Sequence, residues 1–183
     1  VREHRSSRAL GPYAAGCCVY AALFGAALLT HRLGIPAVPV AGSMSWPRIM
    51  PHEDDGVIAT HFSFVWEQAN AAAAAQFMDG GVLPEMHAWV RVGGEILDAT
   101  THDLPALCAE MTGMAWTAAH PPDFLWCGAV QLPDGVLYLE DQEACLFLAS
   151  LPKRDYHLWR FMRERYFARI NPAVTLALAG GRS

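Results

Sequence analysis

The chain has 183 residues, of which 53% are apolar and 17% charged, and its formal net charge is −5. That length and apolar content suit one domain over residues 1–183 that buries a core without disulfide or metal support, and they exclude a largely disordered chain. The negative balance gives no electrostatic footing for a general nucleic-acid role.

Residues 1–8 are polar and basic and read as a surface helix, which Pro12 ends. Residues 16–32 then predict one helix with apolar residues all round, expected to be buried on every side. No charge occurs from residue 9 to 30, and basic residues flank the stretch. Its Ala, Gly and Cys content and the early Gly11–Pro12 break weigh against a signal sequence or membrane span. Leu33-Gly34-Ile35-Pro36 stops the helix, glycine suiting a helix C-terminus and proline being unable to continue it.

A short apolar run over 37–42 predicts a strand, and the Pro-, Ser- and Asp-rich residues 43–56 predict a loop. Residues 57–66 are β-branched and aromatic and predict a second strand. Five alanines in a row mark a helix over 68–78. Residues 86–92 and 95–100 flank Gly93-Gly94, the clearest hairpin signal in the chain. A helix is expected over 103–117. A second hairpin is expected from 129–132 and 136–139 around Pro133-Asp134-Gly135. Helices over 141–150 and 154–169 follow. One buried helix, then strands, then mixed elements describe an α+β fold with an antiparallel sheet rather than alternating βαβ units.

The five cysteines, Cys17, Cys18, Cys108, Cys127 and Cys145, are odd in number and irregular in spacing. They do not read as a disulfide framework, and no CxxC pair suggests zinc. The expectation is a reducing, cytoplasmic setting with neither metal nor cofactor.

The first hairpin can be worked out by geometry. With Gly93 and Gly94 as the turn, Val92 faces Glu95, Arg91 faces Ile96, Val90 faces Leu97 and Trp89 faces Asp98. Alternation then puts His87, Trp89 and Arg91 on one face with Ile96, Asp98 and Thr100. Asp98 is diagonal to His87, roughly 7–8 Å away at the backbone, so an Asp–His hydrogen bond is allowed. The opposite face carries Ala88, Val90, Val92, Leu97 and Ala99, so both faces are expected to be covered. A covered Asp–His pair is either a structural satisfaction of two polar groups or a general base oriented by an acid. Cys17 and Cys18 open the first helix, where the dipole and free N–H groups favour a thiolate and can hold an oxyanion. Buried cysteines are also common as small apolar residues.

The run Gly16-Cys17-Cys18-Val19-Tyr20-Ala21-Ala22, followed by Leu33-Gly34-Ile35-Pro36-Ala37-Val38-Pro39-Val40-Ala41-Gly42, resembles the cysteine motif of the transglutaminase-like superfamily. His87-Ala88-Trp89-Val90 with Asp98-Ala99-Thr100 is similar to that superfamily's histidine and aspartate motifs. Both occur in the family's order and together cover residues 16–100, leaving about 101–183 as an extension. The resemblance implies a papain-like α+β fold in which a buried Cys-bearing helix packs on the sheet that carries His and Asp. By position it implies Cys18 as nucleophile, His87 as base and Asp98 as orienting acid. Cys17, which also has an alanine four residues on, is the rival nucleophile, and Asp98 is followed by Ala-Thr where Pro-Thr is commoner. The implied chemistry is thioester-mediated hydrolysis of an amide or peptide bond in a peptide, protein or small amide or ester substrate. Transfer to an amine, cross-linking, and an inactive binding module are the alternatives. His61 and His102 are expected to be ordinary strand and loop residues.

Overall fold

In this computed structural model, residues 17–51, 57–67, 85–117 and 119–154 are described. Helix α1, Cys17–Arg32, is the long apolar helix that the sequence predicts. Its stop works as expected. Gly34 adopts a left-handed φ of 68°, and the Ile35 N–H reaches back to the Leu29 carbonyl at 2.9 Å, a bond that satisfies a carbonyl of the last turn. Thr30 Oγ1 then donates to the Ala37 carbonyl at 3.1 Å and accepts from the Ala37 N–H at 3.2 Å. Helix end and following strand are thereby tied together. Val19, Ala22, Leu23, Ala26 and Leu29 are buried, whereas Thr30, His31 and Arg32 are exposed. Ala21, Gly25 and Leu28, on one stripe of the helix, are only half-buried, as is Ala27. The expected burial on every side is therefore corrected: one face of α1 is partly open and its last turn is exposed.

The strands are β1 (Val38–Pro51), β2 (Val57–Phe64), β3 (His87–Val92), β4 (Glu95–Asp98), β5 (Leu125–Gly128) and β6 (Leu137–Glu140). All pair antiparallel in one sheet. The β3–β4 register is Val92↔Glu95, Arg91↔Ile96 and Val90↔Leu97, as the glycine pair predicts. Both faces of this hairpin are covered. Ala26 and Leu29 of α1 pack on Val90, with Val92 and Leu97 alongside. Trp89 and Ile96 face the other way, into a cluster with Val40, Met44, Trp46 and Phe62. Gly25 lets α1 approach closely, since a Cβ there would lie 3.2 Å from Val90 Cγ2.

The expected loop over 43–56 is corrected: β1 continues through it to Pro51. Met44, Trp46 and Arg48 are buried in strict alternation with half-buried Ser43, Ser45 and Pro47. The polar and proline residues that suggest a loop are the outward half of a strand. Pro47, which has no N–H to donate, pairs with His61 of β2 and lies beyond the stretches of β1 that pair with β3 and β6. One missing ladder donor is tolerated there. Ser45 and Ser63, opposite each other, join by their hydroxyls at 2.9 Å.

The second expected hairpin is also corrected. Residues 129–131 form a 3₁₀ turn rather than a strand, with the Gly128 N–H held by Gln131 Oε1 at 3.2 Å. The Pro133–Gly135 turn exists, the Val136 N–H donating to the Pro133 carbonyl at 3.0 Å. The two strands around it part: β5 joins β4 and β6 joins β1. Helix α2, Leu104–Thr112, follows a 3₁₀ turn at Thr101–Asp103 and ends at Gly113, φ 69°, short of the expected residue 117. Helix α3, Gln142–Arg154, is capped by Asp141, whose Oδ1 accepts from the Ala144 N–H at 3.0 Å.

The expected helices over 1–8 and 68–78, and that over 154–169 beyond Arg154, lie outside the described residues. The chain divides into two compact units, Val1–Leu148 and Ala149–Ser183. Within the first unit, residues beyond the motifs supply β5 and β6 to the same sheet. No helix among the described residues is long and apolar enough to cross a membrane.

Candidate functional site

Cys18 is the second residue of α1, so its backbone N–H is among the four that a helix leaves free of intrahelical partners. His87 is the first residue of β3 and Asp98 the last of β4. Cys18 lies close enough to His87 for its side chain to help raise the imidazole pKa. His87 Nε2 is 2.6 Å from Asp98 Oδ2. With Nε2 taken by the carboxylate, Nδ1 is the ring nitrogen left for the thiol. The structure therefore brings together the three side chains that the sequence singled out. All three are buried, with 6%, 2% and 1% of their surface exposed for Cys18, His87 and Asp98. Of Cys17, only its place as the first residue of α1 is described.

The carboxylate is held on both oxygens. Thr100 donates its N–H and its hydroxyl to Asp98 Oδ1 at 2.8 and 2.7 Å. Tyr138 Oη donates to Oδ2 at 2.8 Å. Burial alone would raise the Asp98 pKa, but the charge and hydrogen bond of His87, then Thr100 and Tyr138, hold it below the usual 3.8. Burial likewise pulls the imidazole down, yet Asp98's charge and hydrogen bond, aided by Cys18, raise His87 to about 10. Tyr138 is pushed well above 10 by burial and by the Asp98 charge, so it remains a donor. The imidazole is flanked by Phe64 and Trp89, both near-parallel to it at 5.7 and 6.3 Å between ring centres. The ring is thus held in plane by its aromatic neighbours and in orientation by Asp98.

Thr100 and Tyr138 are site residues that the sequence reading does not single out. Thr100 had a local signal, since Thr two residues after Asp commonly bonds back to it. Tyr138 had none. It arrives because β1 is a hub: Gly42 lies opposite both His87 and Glu140, and Met44 lies opposite Tyr138. A Cβ on Gly42 would meet the Leu139 carbonyl oxygen at 2.1 Å and the Asp141 nitrogen at 2.8 Å, so β6 can come this close only to a glycine.

The other described cysteines lie in different surroundings. Cys127 is raised by burial and by Glu95. Cys145 is raised by burial, against the backbone of Ala41, and further by Glu140. His61 is exposed on β2, and His102 Nδ1 meets the Asp123 carbonyl oxygen at 2.7 Å; neither belongs to the Cys18 cluster. No group of three potential metal ligands occurs among the described residues.

No family model matches the chain, and no curated protein matches it. A crystal structure from a genomics project is similar over 81% of this chain at 15% identity with a TM-score of 0.49. The chain spans 65% of that protein's length.

Proposed function

We propose that the protein is a thiol-dependent acyl-transfer enzyme of the transglutaminase-like, papain-like kind. It would hydrolyse an amide or peptide bond through a thioester on Cys18. The observation that carries this reading is one chain of contacts, Cys18 to His87 to Asp98, at the N-terminal end of a buried helix. A structural role needs His87 and Asp98 alone; it gives no reason for a thiol on the imidazole's free side. In the reaction, the Cys18 sulfur, its proton held by His87, attacks the substrate carbonyl carbon. The Cys18 N–H and its helix neighbours face the developing oxyanion. His87 gives its proton to the leaving amine, and the carbon–nitrogen bond breaks to leave the thioester. Water, deprotonated by His87, then releases the acid and restores the thiol. Asp98 fixes the tautomer and balances the imidazolium charge throughout.

The test is the iodoacetamide alkylation rate of Cys18 below pH 8.5, followed by peptide mass spectrometry against the urea-unfolded chain. An activated thiol reacts faster in the folded protein, and His87→Ala removes that advantage. Faster reaction at Cys17 would move the nucleophile by one residue. A folded protein in which neither cysteine is accelerated would leave the arrangement structural and the fold a binding module.

A further inference from the structure

We propose that Tyr138 is a positioning residue that tempers the base: its hydroxyl shares Asp98 Oδ2 with His87 Nε2 and so loosens the carboxylate's hold on the imidazolium proton. This role deepens the acyl-transfer reading and rests on it. A base that takes a proton from Cys18 and then surrenders it to a leaving amine works best when its hold is moderate. With Asp98 unopposed, the imidazolium would be too weak an acid for the second half of that task.

An ionised carboxylate offers about four acceptor sites, and on Asp98 all are taken. The Thr100 N–H and hydroxyl fill Oδ1 at 2.8 and 2.7 Å. His87 Nε2 and Tyr138 Oη fill Oδ2 at 2.6 and 2.8 Å. A donor on a carboxylate oxygen favours its charged form and so lowers its affinity for a proton. Thr100 does this on the oxygen turned away from the imidazole, Tyr138 on the oxygen that the imidazole uses. Asp98 is buried, so water does not dilute the competition. The Tyr138 ring is seated independently of its hydroxyl, edge-on to Trp89 at 5.2 Å and 6.0 Å from the His87 ring. Burial and the Asp98 charge push the phenol well above 10, so it stays a donor. The other ionisable group acting on His87 is Cys18 of α1; β2 and β3 present Phe64 and Trp89, which do not titrate. Cys127 acts on Tyr138 from β5, its own thiol pushed up by burial and by Glu95.

The test is an NMR pH titration of the full chain carrying carbon-13-labelled histidine, the His87 signal being the one absent from His87→Gln. In Tyr138→Phe the His87 midpoint is expected to rise by about one pH unit, a tenfold tighter hold on the proton, the size of one hydrogen bond to a charged group. In Asp98→Asn it falls. The Nε2–H proton resonance at neutral pH reads the same competition without alkaline conditions: it moves downfield in Tyr138→Phe as the bond to Asp98 strengthens. Placing 3-fluorotyrosine at position 138, a stronger donor of nearly the same shape, moves both readouts the opposite way and decides the matter even if Tyr138→Phe folds poorly. A merely structural hydroxyl would leave His87 unmoved, or shift it in the Asp98→Asn direction through a misplaced carboxylate; either result overturns the proposal. The readout is the imidazole itself, so its failure is separate from that of the acyl-transfer reading, which falls if Cys18 shows no accelerated alkylation while His87 moves as expected.

Discussion

Tyr138 Oη and His87 Nε2 converge on the same oxygen of Asp98, at 2.8 and 2.6 Å. One carboxylate oxygen thus serves two donors while its twin serves Thr100. Removing the Tyr138 hydroxyl leaves a buried anion with one fewer donor. Tyr138→Phe is expected to lower the unfolding free energy by about 1.5–3 kcal/mol, the range for a hydrogen bond to a charged group. Urea denaturation measures this, and an unchanged midpoint would show that the hydroxyl contributes nothing to holding Asp98.

The pH dependence of stability follows from the same pair. His87 rises from 6.5 in the unfolded chain to about 10 in the folded one. Its contribution is fully present below pH 6.5 and is lost as pH climbs toward 10. Asp98 is lowered from 3.8, so its contribution is present above that value and is lost as pH falls through its folded pKa. Denaturation midpoints of the wild type are therefore expected to decline on the alkaline side between pH 6.5 and 10. Asp98→Asn removes the cause and flattens that decline; parallel curves for the two proteins would rule out the coupling.

Asp98→Asn also bears on reactivity. The substitution keeps the shape of the side chain and removes the charge that holds the imidazolium. Alkylation of Cys18 at neutral pH is expected to slow by about tenfold or more, since each pKa unit lost by the partner is a factor of ten. Pseudo-first-order rates with iodoacetamide decide it, and wild-type rates in the variant would remove Asp98 from the proposed mechanism.

Two glycine substitutions should differ sharply. Gly42→Ala drives a Cβ into the backbone of Leu139 and Asp141, which can yield only if β6 moves and takes Tyr138 with it. A loss of about 3 kcal/mol or more is expected, at the severe end for overpacking. Gly25→Ala meets the Val90 methyl at 3.2 Å, and the gain in helix propensity of about 1 kcal/mol offsets that contact. Its net effect is expected to stay within about 1 kcal/mol by the same thermal or chemical denaturation. Equal losses at the two sites would refute the close approach of β6 to Gly42.

What the sequence determined by itself were the features set by neighbours along the chain. The body of α1 and its stop at Leu33–Pro36, the glycine-turned hairpin, and hence the placing of His87 near Asp98 all follow from periodicity and turn chemistry over a few residues. Even Thr100 lay within reach, two positions from its partner. The tertiary structure alone decided what joins distant segments. Residues 43–51 are a strand because β2 and β6 offer their ladders to a stretch whose composition says loop. The segments around Pro133–Gly135 separate because β4 and β1 compete for them. Tyr138 reaches Asp98, 40 positions away, and Arg48 meets Cys108, 60 positions away. The physical reason is common to all four. Local pattern encodes which way a side chain points, whereas which backbone it pairs with and which charge it meets depend on contacts whose energy exists only once the whole sheet has closed.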